Sequence, residues 1–181
     1  SFLQCPVVRE SLTKLAIEKK TPLYCVAADV QSAFSRTDRT CQLYENFSQG
    51  EFGKIFLFSK QFASNTDVVL NCNNQNSERF PEEQGAPQGS IRSSGSWKNY
   101  SVPLYKNIIN SDIGVKAYGI DFGQQLIADD SLAMTTTRQR FKIMNTLYMS
   151  YAEEYRVTYE FSKLELNLWG VNNPEEQANG L

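Results

Sequence analysis

The sequence predicts an α+β fold in which helices pack on one face of an antiparallel sheet. Two observations predict this class. Apolar strand-like runs are grouped, with one at 23–28 and three more at 115–118, 125–128 and 131–135. The clearest helical segment, 138–155, has apolar residues at helical spacing. The residues on that face are Phe141, Met144, Leu147 and Tyr151.

The first part of the chain predicts a helix, a buried strand and two further helices. Apolar residues at helical spacing predict a helix over 7–19, which Pro22 would end. The run 23–28 is nearly all apolar and is therefore expected to be a central strand. Helices are then expected over 36–47 and 52–62.

The rest of the chain predicts a hairpin, a long helix and the remaining strands. The hairpin strands are expected at 67–70 and 78–80, around an Asn-rich loop, and a helix is expected over 92–110. A polar turn over 119–125 should join two of the grouped strands. The last strands are expected at 157–161 and 164–169.

Composition is that of one globular domain. The chain has 181 residues, 41% of them apolar and 12% aromatic, which is enough for a core. No apolar run approaches the length of a membrane span, and no signal peptide is visible, so an intracellular location is expected, nuclear or cytoplasmic. Four cysteines lack zinc-type spacing, and the absence of histidine excludes Ser-His and Cys-His nucleophilic chemistry.

Paired carboxylates are the most informative feature of the chain. Asp129 and Asp130 stand between two apolar runs, where a hairpin tip is expected. Two adjacent carboxylates repel each other unless a cation neutralises them. Asp29 ends the apolar run that begins at residue 23. If the two strands are neighbours, these acids converge on hard divalent ions, as in a two-metal centre for phosphoryl transfer.

Four ordered segments resemble the motifs of reverse transcriptases. Segment 29–34 reads Asp-Val-Gln-Ser-Ala-Phe and resembles the first motif of their polymerase palm. Segment 85–90, Gly-Ala-Pro-Gln-Gly-Ser, resembles their Pro-Gln-Gly-Ser motif, and 128–130 resembles their Asp-Asp hairpin. Segment 161–163, Phe-Ser-Lys, is similar to their lysine motif. The resemblance covers roughly residues 10–170 and is greatest to the reverse transcriptases of retrotransposons without long terminal repeats.

Each segment alone has a simpler interpretation. An Asp-Asp pair is common on solvated loops, segment 29–34 would suit a strand running into a helix cap, and Pro-Gln-Gly-Ser is a good turn sequence. Their joint order and spacing favour the family.

The resemblance implies a polymerase palm core over 1–170 and a polar tail over 171–181. Only 28 residues precede Asp29 and 11 follow Gly170, so the fingers and thumb of the family are expected to be largely missing. A net charge of −2 is unusual for a freestanding nucleic-acid binder, which draws affinity from Lys and Arg on phosphates. The chain is therefore expected to be a fragment with little polymerase activity alone.

The metal ligands implied by the resemblance lie in the first and third motifs. Asp29 and Asp129 would hold two Mg²⁺ ions, with Mn²⁺ able to substitute, and the backbone carbonyl of Val30 would add a ligand on the triphosphate side. Asp130 has two interpretations of equal weight: it supports the site, or it is a solvated neighbour that tunes the potential.

Other residues are implied to bind the nucleotide. Phe34 stands where the family has an aromatic gate against the ribose 2′-hydroxyl, although a ring there also suits core packing. Gln88 and Gly89 would line the incoming nucleotide and the template. Lys163 would assist the leaving pyrophosphate, the alternative being a solvated lysine beside Glu165.

The function implied is that of an RNA-directed DNA polymerase palm. Its partners would be an RNA or DNA template, a primer, deoxynucleoside triphosphates and the remaining domains of a parent polyprotein, with no membrane. A catalytically inactive relic or scaffold of a retroelement is the main alternative. An RNA-directed RNA polymerase is a weaker one, because Phe34 and segment 88–89 favour deoxynucleotides.

Overall fold

In a computed structural model, the chain forms two compact units. The first unit comprises Ser1–Gln31 and Pro103–Leu181, and the second comprises Ser32–Val102. The structure describes residues 4–64, 66–82, 84–86, 91–117, 119–127, 130–160 and 165–170.

Helices and strands follow one another in the groups that the sequence predicts. The helices are α1 (Gln4–Lys19), α2 (Ala33–Arg36), α3 (Arg39–Ser48), α4 (Gly53–Ser64), α5 (Ile91–Asn110) and α6 (Arg138–Tyr155). The strands are β1 (Leu23–Asp29), β2 (Asp67–Val68), β3 (Asn71–Cys72), β4 (Gln75–Asn76), β5 (Phe80–Pro81), β6 (Lys116–Ala117), β7 (Ile120–Asp121), β8 (Gln124–Ile127), β9 (Asp130–Thr135) and β10 (Glu165–Trp169).

The first unit is built around an antiparallel sheet of four strands in the order β10-β1-β9-β8. The apolar strand β1 occupies an interior position, as its sequence predicts. Tyr24 of β1 contacts Phe141 of α6, with ring centroids 5.7 Å apart, so α6 lies on the face of the even-numbered β1 residues. The predicted α+β class with an antiparallel sheet is confirmed.

Odd-numbered residues of β1 face the main apolar core of the first unit. This core joins α1 to β1 and β9 and is expected to be the largest hydrophobic contribution to its stability. Its buried members are Leu12, Ala16, Leu23, Cys25, Val115, Leu132 and Met134. Because side chains alternate along a strand, Asp29 and Asp130 stand at the end of this same face.

The second unit contains α2, α3, α4, the first part of α5 (91–102) and short hairpins. Asp38 caps α3, because its carboxylate accepts hydrogen bonds from the backbone N–H groups of Thr40 and Cys41 at 2.9 and 3.0 Å. This cap starts a new helix and explains why the helix predicted over 36–47 begins only at Arg39, as α3, while Arg36 ends α2. The predicted hairpin is confirmed as the pair β2–β5, and the Asn-rich loop inside it forms a second pair, β3–β4.

Three sequence predictions about the first unit are wrong in detail. The predicted polar turn over 119–125 contains β7 and the start of β8, because Gly119, at φ +76°, allows a tight β6–β7 hairpin. The predicted strand 157–161 is reduced, in its described part, to one bridge between Tyr159 and Val30. Asp130 belongs to β9 and not to the turn. None of the helices in the described part of the chain is long and apolar enough to cross a membrane.

Candidate active site

Two of the predicted acids face each other across neighbouring strands. Strands β1 and β9 pair in antiparallel register, and the last residue of β1, Asp29, is opposite the first residue of β9, Asp130. Directly opposed residues project to the same face of a sheet. Asp29 is half-buried and Asp130 is exposed, so the pair is open to solvent on one side.

Hydrogen bonds accepted by two backbone carbonyls show which type of pair the two acids form. The carbonyl of Ala28 accepts a hydrogen bond from Ser131 Oγ at 3.2 Å, so the backbone of Ala28 faces β9. The Asp29 carbonyl therefore points to the other side of β1, where it accepts from the N–H of Glu160 at 2.8 Å. Asp29 and Asp130 thus form a non-hydrogen-bonded pair, the type with closely spaced side chains and a Cα separation of about 4.5 Å.

The backbone of Val30 is held from the side opposite β9. Val30 bridges Tyr159, and the N–H of Gln31 donates to the carbonyl of Thr158 at 2.8 Å. In this bridge the carbonyl of Val30 points away from Tyr159, toward the side of β9. That orientation agrees with the predicted role of the Val30 carbonyl as an additional ligand beside the acids.

Several predicted site residues lie outside the described part of the chain. They are Asp129, Gln88, Gly89 and Lys163. Strands β8 and β9 pair as far as Ile127 and Asp130, and residues 128–129 come between them in the sequence. Among the described residues no three Asp, Glu, His or Cys side chains form a group that would hold a metal ion. The roles assigned to these four residues stay predictions.

Phe34 lies in the second unit, and its surroundings agree with both interpretations of this residue, core packing and a gate. Its ring contacts Trp97, with centroids 6.1 Å apart, which is a packing contact. The side chain is nevertheless only half-buried, so part of the ring is accessible to a ligand. The gate role stays a prediction.

The segment before the Pro-Gln-Gly-Ser motif is hydrogen-bonded to the segment that begins with Phe34. The N–H of Ala86 donates to the carbonyl of Phe34 at 2.6 Å, and the N–H of Gly85 donates to the carbonyl of Thr37 at 2.9 Å. Gly85 has φ +87°, and a Cβ there would lie 2.6 Å from the carbonyl oxygen of Ser35. Only glycine fits this close approach, and the hydrogen bond from Ala86 joins the second predicted motif to Phe34, the last residue of the first.

Arg39 fixes the same segment from α3. Its guanidinium donates to the carbonyls of Gly85 at 2.7 Å and Ala63 at 2.8 Å, and to the Glu82 carbonyl. It also forms an ion pair with the Glu82 carboxylate at 2.6 Å. Sequence reasoning missed Arg39, because its partners are mostly backbone carbonyls far away in the chain.

A small cavity lies beside this arginine. It has a volume of about 30 Å³, enough for one or two water molecules, and Gln42, Asn46 and Arg92 are among its lining residues. The side-chain nitrogen of Gln42 is buried and has no hydrogen-bond partner among the residues that the structure describes. A bound water would satisfy this donor.

A chain of buried side chains crosses the sheet behind the acids, and sequence reasoning missed it. The amide nitrogen of Gln124 donates to the hydroxyl of Tyr148, which donates to Ser131 Oγ, both at 3.2 Å. Burial raises the pKa of Tyr148 to about 12, and burial also raises the pKa of Tyr159, whose ring lies 5.5 Å from that of Tyr148. The hydroxyl of Tyr148 is therefore protonated at neutral pH.

The residues at the ends of β1 and β9 suit a hard divalent cation. Opposed like charges destabilise a strand pair, and a cation between the carboxylates would remove that cost. Carboxylate and backbone carbonyl oxygens are the ligands that Mg²⁺ and Mn²⁺ take. The donor set of Asp29, Asp130 and the Val30 carbonyl therefore fits such an ion.

Comparison with solved structures finds the same fold in telomerases. Structures of apo telomerase from Candida tropicalis, one of them truncated from the C-terminal domain, give TM-scores of 0.65 and 0.63 at 15% and 11% identity. Telomerase from the same organism in complex with the TWJ fragment of telomeric RNA gives a TM-score of 0.65 at 12% identity. The two apo structures match over 92% and 88% of this chain, and the RNA complex matches over 92% of it.

The chain spans about a third of the length of these telomerases. It covers 35% and 31% of the two apo chains and 29% of the chain in the RNA complex. No protein-family model matches the sequence, and no curated protein matches it. At identities of 11–15% the similarity concerns the fold alone. The fold of this chain is thus similar to that of about a third of these telomerase chains.

Proposed function

We propose that this chain is the palm of an RNA-directed DNA polymerase, which adds deoxynucleotides to a primer 3′-hydroxyl. The observation that carries the proposal is the register of β1 and β9, which sets Asp29 opposite Asp130 at the strand ends. The telomerase-like fold supports the same class of nucleotidyltransferase. The finer assignment, to retrotransposons without long terminal repeats, rests on the motif sequences alone.

We further propose that Asp29, Asp129, Asp130 and the Val30 carbonyl hold two Mg²⁺ ions. Such ions, when bound, would lower the pKa of the primer hydroxyl and stabilise charge on the triphosphate. The half-buried position of Asp29 supports this role, because a carboxylate that is partly removed from water interacts more strongly with a cation.

In the second unit, Phe34 and segment 85–90 would bind the nucleotide. The hydrogen bond between Ala86 and Phe34 ties the residues before Gln88 and Gly89 to the proposed gate. A ring fixed by Trp97 would exclude a 2′-hydroxyl by contact. Lys163 would add positive charge for the leaving pyrophosphate.

The proposed partners are a template, a primer and deoxynucleoside triphosphates. One of the similar telomerase structures is a complex with RNA, which supports a nucleic-acid template. The net charge of −2 is weak for binding a phosphate backbone, so we propose that further parts of a longer polyprotein supply most of that affinity. An intracellular location fits this function and is proposed with it.

Selective binding of deoxynucleotides tests the proposed function. In the presence of Mn²⁺, the chain should bind a fluorescent analogue of dGTP more tightly than the matching GTP analogue. Phe34→Ala should reduce this preference about ten-fold, because one removed steric contact typically changes discrimination by that amount. Fluorescence titration of both analogues measures the ratio of their dissociation constants.

The half-buried ring of Phe56, which contacts Phe47 in the same unit, provides the control. Phe56→Ala should leave the ratio unchanged. Equal affinity for the two analogues in the parent chain, or no binding of either, would contradict the proposed function and favour an inactive relic or scaffold.

A further inference from the structure

A one-way chain of buried hydrogen bonds links three strands and a helix directly behind the proposed metal site. It runs from the Gln124 amide in β8 to the Tyr148 hydroxyl in α6, then to Ser131 Oγ in β9 and on to the Ala28 carbonyl in β1. Each of the two hydroxyls accepts one hydrogen bond and donates one. Gln124, Ser131 and Tyr148 are all buried, so these bonds have little competition from water.

The position of this chain is more specific than that of an ordinary core contact. Ser131 and Ala28 are cross-strand partners, and each is the immediate neighbour of one of the opposed acids, Asp130 and Asp29. The acids lie on one face of the sheet, and Tyr148 approaches from the other. The hydroxyl of Tyr148 therefore acts on the backbone that carries the acids without contacting the acids themselves.

A second contact connects Tyr148 to the end of β1. Its ring lies 5.5 Å from the ring of Tyr159, which bridges the backbone of Val30. Tyr148 thus lies between Ser131 in β9 and the segment that holds β1 from its other edge.

We infer that Tyr148 is a positioning residue for the proposed metal site, where its hydroxyl holds the ends of β1 and β9 so that Asp29 and Asp130 stay opposed. The inference rests on the proposed function for its consequence, which is metal affinity. The effect of Tyr148 on the ends of β1 and β9 does not depend on a metal and is measurable without one. Residues that orient metal ligands from behind commonly contribute 10–100-fold to affinity.

Tyr148→Phe removes the hydroxyl and keeps the ring. We expect hydrogen exchange of the Gln31 and Glu160 amides, which lie at the site end of β1, to become about five-fold faster, the effect of losing one buried hydrogen bond. The Met134 amide, at the other end of β9, should change less. Mn²⁺ affinity should fall about ten-fold. Ser131→Ala is a second variant, with the same expected pattern.

Thr135→Val is the matched control. Thr135 is on the same strand and fully buried, and its hydroxyl donates to the Ile113 carbonyl at 2.8 Å. Its loss should reduce stability to a similar extent but leave Mn²⁺ affinity and the Gln31 amide unchanged. If Tyr148→Phe accelerates hydrogen exchange equally along β9, or does not accelerate it at all, the positioning role is overturned. If hydrogen exchange becomes faster only near the strand ends, but the parent chain does not bind Mn²⁺, the result supports the positioning role and contradicts the proposed function.

Discussion

Replacing Arg39 by methionine is expected to destabilise the unit Ser32–Val102 by about 3 kcal/mol, because a partly buried ion pair is lost together with the donor to several backbone carbonyls. Arg39 is 10% exposed, and its partner Glu82 is 32% exposed. Methionine fills similar space but leaves the carbonyls of Gly85 and Ala63 without their donor. Chemical denaturation followed by circular dichroism measures the loss.

Arg79 offers a control for the change of charge. It is exposed in the same unit, so Arg79→Met should change the free energy of unfolding by less than about 0.5 kcal/mol. A similar loss in both variants would show that charge, and not the bonds made by Arg39, determines the effect. Because Gly85 begins the Pro-Gln-Gly-Ser segment, we also expect Arg39→Met to weaken nucleotide binding.

Gly170→Ala is expected to destabilise the first unit by about 3 kcal/mol or more. Gly170 has φ +76°, which costs other residues about 1–2 kcal/mol. A Cβ at this position would also collide with the backbone carbonyls of Thr21 and Ala16, which cannot move aside as a side chain would. Thermal or chemical unfolding measures the cost.

Gly119→Ala separates the two contributions. Gly119 has the same φ of +76°, but a Cβ there would meet no atom of the described residues within 4 Å. We expect only the conformational cost for this variant, so the difference between the two alanine variants is the steric cost at Gly170. Equal losses would mean that the end of β10 moves to accommodate the methyl group.

The backbone framework of the proposed site could be predicted from the sequence because it depends on local pattern. The apolar run before Asp29 predicts a buried strand that ends at the acid, and the structure confirms it. The convergence of the acids could be predicted only on the condition that β1 and β9 are neighbours, because the apolar pattern of a strand does not identify the strand that pairs with it. The sequence also predicted a turn at Asp130, whereas pairing with β1 extends β9 to include this residue.

Tyr148 shows why the supporting residues were missed. The predicted helical face included Leu147, whereas the buried face of α6 is formed by Met144, Tyr148, Tyr151 and Tyr155. A period of 3.6 residues does not distinguish neighbouring positions at the edge of a face. Tyrosines at 148, 151 and 155 lie at helical spacing and were the available signal. For Arg39 no local signal exists, because its acceptors are brought to it by the tertiary fold.

Calorimetric titration of the 181-residue chain with Mn²⁺ tests the central proposal most directly. We expect saturable binding that Asp29→Asn weakens by about 100-fold, because loss of a direct ligand should cost at least as much as loss of a residue that orients a ligand from behind. Asp129→Asn should also weaken binding strongly. Asp67→Asn, at an exposed carboxylate of β2, should leave the affinity unchanged. Binding that Asp29→Asn and Asp67→Asn affect equally, or no binding by the parent chain, would contradict a metal site at the ends of β1 and β9.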